Sequence, residues 1–209
     1  MTSNIKSVYR KLSRDRIHQG DILENFEIPF IKEEASKELN VKTTKSPFSV
    51  ILSQDCDLDG IGRLNNSMKM EDENQILNGN KFLPSILITP LYDAKKINKG
   101  TYLNHLGFKM DDKGGLNRTK WKNIKNNKDP RYHYLKLEDI RKELIADFKI
   151  FYIAPYDYIF SRYGKCYFTS LNELFREDLS TRFFNYQARI GLPPINENNI
   201  KNSKQGVKI

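Results

Sequence analysis

Two stretches of this chain combine residue types at spacings that chemistry can use. The first is Ser53-Gln54-Asp55-Cys56-Asp57, a dense polar run directly after an apolar strand-like segment, and strand ends are where folds commonly display functional groups. Two carboxylates one residue apart on an extended chain face the same side, and with Asp59 they offer the hard oxygen donors that suit magnesium or calcium. The further acidic motif and flanking lysine of a nuclease metal site are missing, so no metal or other cofactor is expected. An Asx-type turn, with Asp55 and Asp57 accepting backbone amides and Cys56 packed inward, accounts for the run as well. The flanking carboxylates disfavour a Cys56 thiolate, and nucleophilic use of the thiol needs a base such as His18 or His133 brought to it through space.

The second stretch spans residues 117–134, where Arg118, Lys120, Lys122, Lys125, Lys128 and Arg131 interleave with Trp121, Tyr132, His133 and Tyr134. Basic groups neutralise phosphates and ring faces accept unstacked bases, so this mixture suits single-stranded nucleic acid. Arg118, Lys120, Trp121, Lys122, Lys125 and Tyr132 are the expected contacts. If RNA is cleaved, Arg131 is the expected phosphate stabiliser and His133 the proton carrier. The plainer alternative is a solvated lysine-rich loop anchored by Trp121, followed by a half-exposed strand. Further on, Arg176, Arg182 and Arg189 sit among Glu173, Glu177 and Asp178, a pattern that reads as self-neutralising.

Charge distribution supports the second stretch. Residues 93–136 carry 12 Lys and Arg against 4 Asp and Glu, an excess of +8 within a total of +9. Clustered charge attracts polyanions, whereas scattered charge only solubilises. The two cysteines are too few for a disulfide framework and fit a reducing compartment. No apolar run reaches the ~18 residues of a membrane span, and the first residues lack the apolar centre of a signal peptide. A cytoplasmic protein with no membrane partner is therefore expected.

The elements that must position these groups are legible as patterns. Gln19-Gly20-Asp21-Ile22-Leu23 reads as a turn into a first strand, and residues 32–39 (KEEASKEL) as a short exposed helix. Residues 48–52 (FSVIL) read as a buried strand, followed by a long connection to about Lys81. Residues 82–91 give a second apolar strand that pairs with the first, and residues 93–130 read as an exposed basic insertion. Residues 137–144 (LEDIRKEL) predict a two-turn helix, and residues 146–154 and 165–168 predict strands. A final amphipathic helix begins at a Ser170/Glu173 capping box, carries Leu174, Leu179, Phe183, Tyr186 and Ile190, and stops at Gly191. Residues 1–195 are expected to form one elaborated domain and residues 196–209 a flexible tail.

Gln19-Gly20-Asp21-Ile22, then Ser46-Pro47-Phe48-Ser49-Val50-Ile51-Leu52-Ser53, then Ile86-Leu87-Ile88-Thr89-Pro90 together resemble the MazF/PemK-like toxin barrel. That family follows a G-D-I/V strand with an R-P-V-V-V-L-S strand and a strand ending in a proline turn. The resemblance covers about the first 90 residues. It implies a small SH3-like barrel, a homodimer, and metal-free endoribonuclease activity on single-stranded RNA. Where the family carries arginine this chain has Ser46 with Lys45 beside it, and Tyr92 stands for the family's threonine. The 53–57 run and residues 175–193 are also similar to proteins of bacterial mobile and defence gene neighbourhoods. The resulting expectation is a mainly β (α+β) fold: an SH3-like small β-barrel with a long basic insertion and a C-terminal amphipathic helix. Its expected role is binding single-stranded RNA in a bacterial defence or toxin-antitoxin system. The competing class is a non-catalytic adaptor whose basic insertion docks on an acidic protein partner.

Overall fold

The strand-forming runs pair into one antiparallel sheet of eight strands in this computed structural model, which describes residues 7–33, 39–68, 79–110, 115–138 and 140–189. The strands are β1 (Tyr9–Arg10), β2 (Asp21–Glu33), β3 (Leu39–Ile51), β4 (Ser85–Asp93), β5 (Tyr132–Leu137), β6 (Lys142–Asp147), β7 (Tyr152–Pro155) and β8 (Tyr167–Leu171). The helices among the described residues are α1 (Asp55–Met68), α2 (Ala94–Asn98), α3 (Arg118–Lys125), α4 (Tyr156–Cys166) and α5 (Glu173–Gln187). The strand order is β1-β8-β2-β3-β4-β6-β5, with β7 also on β4. The molecule is thus a mixed α/β fold on a curled, open sheet.

Ile22-Leu23 of β2 and Val50-Ile51 of β3 are apolar at consecutive positions because the sheet is buried on both faces there and successive side chains point to opposite sides. Leu23 and Ile51 enter a cluster with Ile86, Ile88, Leu58 of α1 and Ile159 and Tyr163 of α4. Their neighbours Ile22 and Val50 enter a second cluster with Leu135, Leu144, Phe148 and the Leu179 and Phe183 of α5. Two of the prolines fall where pairing lapses. Pro47 lies opposite Asn25, which takes a positive φ of 51°, and this pair is skipped in the β2–β3 ladder while the register continues unchanged on either side. Pro90 falls between Ile88, the last β4 residue paired to β7, and Leu91, the first paired to β6.

Asp21, the acid of the Gly-Asp-Ile motif, is fully buried and ties three segments together. Its carboxylate accepts hydrogen bonds from His18 N (2.6 Å), Tyr163 Oη (2.7 Å) and Ser170 Oγ (2.5 Å). Burial raises its pKa, and these donors, with His18 nearby, oppose the rise.

Several expectations are corrected. Lys32, Glu33 and Leu39 belong to β2 and β3 rather than to a helix, and residues 34–38 lie outside the described residues. The connection after Ser53 begins with α1, which glycines disguise but which buries Leu58 and Ile61 three residues apart. In place of the predicted helix, Leu137 ends β5 and Lys142 begins β6 of a hairpin: Arg141 turns the chain at φ 50° and Leu135 pairs with Leu144. The predicted strand over 146–154 is interrupted between β6 and β7, and Lys165 and Cys166 end α4 rather than start a strand. Ser170 lies in β8, so no capping box forms, and Asn172 occupies the N-cap of α5. Leu174 is exposed, while Ile190 and the proposed tail lie outside the described residues. Part of the 93–130 segment folds inward: Ala94, Ile97, Tyr102, Leu103 and Ile124 pack with Tyr132 and Ile145 in a third cluster.

Candidate functional site

The 53–57 run is placed by α1. Ser53 is buried and its Oγ accepts from Leu87 N (2.8 Å), and Gln54 O accepts from Leu58 N (3.1 Å) to start the helix. Asp55 and Asp57 occupy the first turn, where the helix dipole favours negative charge. Asp55 is the hub of an ion network that no local spacing announces. His18 Nδ1 approaches it at 3.3 Å, Arg16 at 3.2 Å and Arg176 at 3.4 Å, and Gln19 N donates to it at 3.2 Å. Burial works against this carboxylate's charge. The His18 hydrogen bond, the two guanidiniums and the Gln19 amide outweigh it and hold the pKa far below the carboxylate range.

Cys56 is an exposed free thiol beside a pocket of about 490 Å³ formed with Arg176, Ser180 and Phe184 of α5. Its Sγ lies 3.6 Å from both Gln54 Oε1 and Asp57 Oδ1. His18 is committed elsewhere, with Arg16 Nε 3.2 Å from its Nε2. The cluster therefore fastens the chain before β2 to α1 and α5. Among the described residues no group of three or more His, Cys, Asp and Glu is arranged to hold a metal.

Residues 117–134 divide into exposed and engaged groups. Asn117 caps α3 by accepting from Lys120 N (2.8 Å), which leaves Arg118, Lys120 and Lys122 exposed. Among the described residues no carboxylate pairs with these three. Trp121 is half-buried against the third cluster. Lys125 pairs with Glu143 at 3.0 Å and lies over the Tyr134 ring at 5.5 Å.

Arg131 grips the fully buried Asp147 with two hydrogen bonds, Nε–Oδ1 at 2.7 Å and Nη2–Oδ2 at 2.6 Å, and Tyr102 Oη donates to the same carboxylate at 2.6 Å. Burial disfavours the guanidinium charge, but Asp147 more than offsets it and raises the pKa. Tyr132 is 3% exposed, and so is His133. Burial, and then the charge of Arg182, pushes His133 down to about 3, so the imidazole is neutral at pH 7. Arg131, Tyr132 and His133 are thus set in the wall of the domain, not in an open recess.

An open recess exists elsewhere. A cleft of about 440 Å³ runs between β3 and β4, with Lys45, Ser46 and Phe48 on one wall and Pro90, Leu91 and Tyr92 on the other. Phe48↔Leu91 is the last pair of the β3–β4 ladder, and Lys45, Ser46 and Tyr92 lie beyond it on strands no longer paired to each other. Lys96, Tyr102, His105, Lys142 and Tyr152 also line it. Tyr92 and Tyr102 meet edge to face with centroids 4.9 Å apart, and Lys142 Nζ lies 5.0 Å from the Phe48 ring centre. Burial raises the pKa of both tyrosines, and the neighbouring Asp147 adds to it, so both are neutral donors. Asp93, the cleft's carboxylate, accepts from Lys95 N (2.7 Å) and Lys96 N (3.3 Å) at the start of α2. Among the described residues no carboxylate ion-pairs with Lys45, Lys96 or Lys142, so the recess is cationic and ring-lined. Lys45 and Tyr92 were visible as departures from a motif. Lys96 was visible only as part of the 93–136 charge excess, and nothing in the sequence joined Lys142 and Tyr152 to it because they come from separate elements.

No protein-family model matches this chain, and no curated protein or solved structure matches it significantly. Among the described residues no helix is long and apolar enough to cross a membrane.

Proposed function

We propose that this protein binds single-stranded RNA in the cleft between β3 and β4. The observation that carries the reading is the convergence there of Lys45, Lys96 and Lys142, free of described carboxylate partners, with tyrosine rings and a histidine. Ammonium groups take phosphates, and ring faces and hydroxyls take unpaired bases. The two walls also begin at Lys45–Ser46 and Tyr92, the positions where the MazF/PemK-like barrel carries its arginine and threonine. The closed SH3-like barrel, the homodimer, the cytoplasmic location and the defence or toxin-antitoxin setting belong to the same reading. Binding, not cleavage, is its core. Arg131 is committed to Asp147 and His133 is enclosed, so neither faces a bound phosphate in this conformation.

The test is anisotropy of a labelled single-stranded RNA across a salt series. Affinity should fall steeply with salt, and each of Lys45→Ala and Lys142→Ala should reduce the slope by about 1 while weakening all sequences alike. Absence of binding at low salt, or unchanged slopes in both variants, defeats the proposal.

A further inference from the structure

The loop after Tyr102 holds three large apolar side chains in water. Leu106, Phe108 and Met110 are 43%, 63% and 38% exposed. Such groups grouped within five residues mark a contact surface, whereas scattered ones need no explanation. Their backbone is pinned. Leu106 N and Phe108 N donate to Leu103 O at 2.9 and 3.2 Å, Gly107 N to Asn104 O at 3.0 Å, and Met110 N to Gly100 O at 3.1 Å. Gly107 takes φ 83°, a conformation that reverses the chain at little cost only for glycine. The side chains are therefore presented by an ordered turn.

The same loop borders the cleft. His105, three residues before Phe108, lines it and approaches Tyr102 O through Nδ1 at 3.1 Å, and Tyr102 lines it next to the Leu103 carbonyl that anchors Phe108. Lys109 projects between Phe108 and Met110 and is exposed. The cationic recess and an apolar ledge with an exposed aromatic face thus meet in one loop, His105 lining the first and Phe108 carrying the second. A bilayer is flat and meets the ledge alone. A nucleic-acid strand satisfies both parts, with phosphates in the recess and a base on the ring.

We infer that Phe108 is a stacking platform for an unpaired base of the strand whose phosphates the cleft lysines hold. This rests on the RNA-binding reading above. A duplex keeps its bases stacked on each other, so the site selects single strands, and it favours base-bearing over abasic chains whatever the sequence.

The experiment compares wild type, Phe108→Ala and Phe108→Trp against a labelled uridine decamer and an abasic ribose-phosphate chain of the same length. Phe108→Ala should weaken the decamer about tenfold with the salt slope unchanged. It should leave the abasic chain unaffected, and Phe108→Trp should retain decamer affinity. Phe108 is exposed, so the variants should melt with the wild type. Unchanged decamer affinity in Phe108→Ala overturns the inference while leaving RNA binding intact, as does an equal loss for both chains. Failure of the wild type to bind either chain overturns the RNA reading and this one together. Phosphatidylglycerol vesicles form a further arm: vesicle binding abolished by Phe108→Ala, with decamer affinity unchanged, assigns the ledge to a lipid surface instead.

Discussion

At the scale of single residues, His133 separates a structural group from a catalytic one. Among the described residues its Nδ1 has no hydrogen-bond partner, and Asp178 lies 3.9 Å away. In the unfolded chain it takes a proton near its ordinary value of 6.5, whereas the folded site refuses one until about pH 3. Between those values the unfolded state binds more protons, so acidification removes stability at up to about 1.4 kcal/mol per pH unit. Asp55 acts later. Its lowered pKa contributes stability that is present above its unfolded value of 3.8 and lost as pH falls further. His133→Leu should therefore flatten the stability profile between pH 6.5 and 4 and move the acid transition downward, read by circular dichroism. Parallel profiles for variant and wild type over that range exclude this account. A proton carrier in catalysis needs the opposite setting, a pKa near the working pH and an open path.

At the scale of elements, α5 is a strap. Arg176 reaches Asp55 at its first turns, and Arg182 donates to Asn127 O, to Asp129 O and Tyr132 O at 2.8 Å each. The second arginine fixes the loop between α3 and β5, and its planar fork serves three carbonyls in a way an ammonium does not. Arg182→Ala should cost about 1–2 kcal/mol by urea denaturation, because three part-buried carbonyls lose a charged donor. Hydrogen exchange at residues 127–132 should quicken. Arg182→Lys should recover little of the loss, and full recovery contradicts the fork argument. The apolar stripe of α5 was legible, since Leu179 and Phe183 recur at helical spacing and are buried. So was the β3–β4 pair, whose runs are buried on both faces. α1 and α4 were not, because Gly60, Gly62 and Gly164 lower helix propensity, and the packing that decides the matter, Leu58 and Ile159 against the sheet, is long-range. LEDIRKEL misled in the opposite direction: good helix formers are overruled by cross-strand pairs such as Leu135 with Leu144. The site was legible only as chemistry. Basic and aromatic residues were recognised, but which of them are already engaged depends on partners such as Asp147 and Glu143 that lie beyond the motif.

On the scale of the whole molecule, the cationic excess resolves into two faces joined by one core cluster. Lys45, Lys96 and Lys142 surround the cleft, and Arg118, Lys120 and Lys122 stand on α3. Tyr92 and Tyr102 at the cleft pack in the same cluster as Trp121 and Ile124 of α3. On the proposed RNA-binding reading, a short strand occupies only the cleft, whereas a longer one leaving it meets the α3 cations as well. Length should therefore separate the faces. With Arg118, Lys120 and Lys122 all changed to Ala, an RNA of about 5 nucleotides should bind as it does to wild type, whereas one of about 20 should weaken and lose salt slope. Lys45→Ala should weaken both lengths in proportion. If the α3 substitutions leave the long strand untouched, the strand's path does not cross α3, and the charge there serves solubility alone. If they weaken the short strand as strongly as the long one, α3 is the primary contact and the cleft is not.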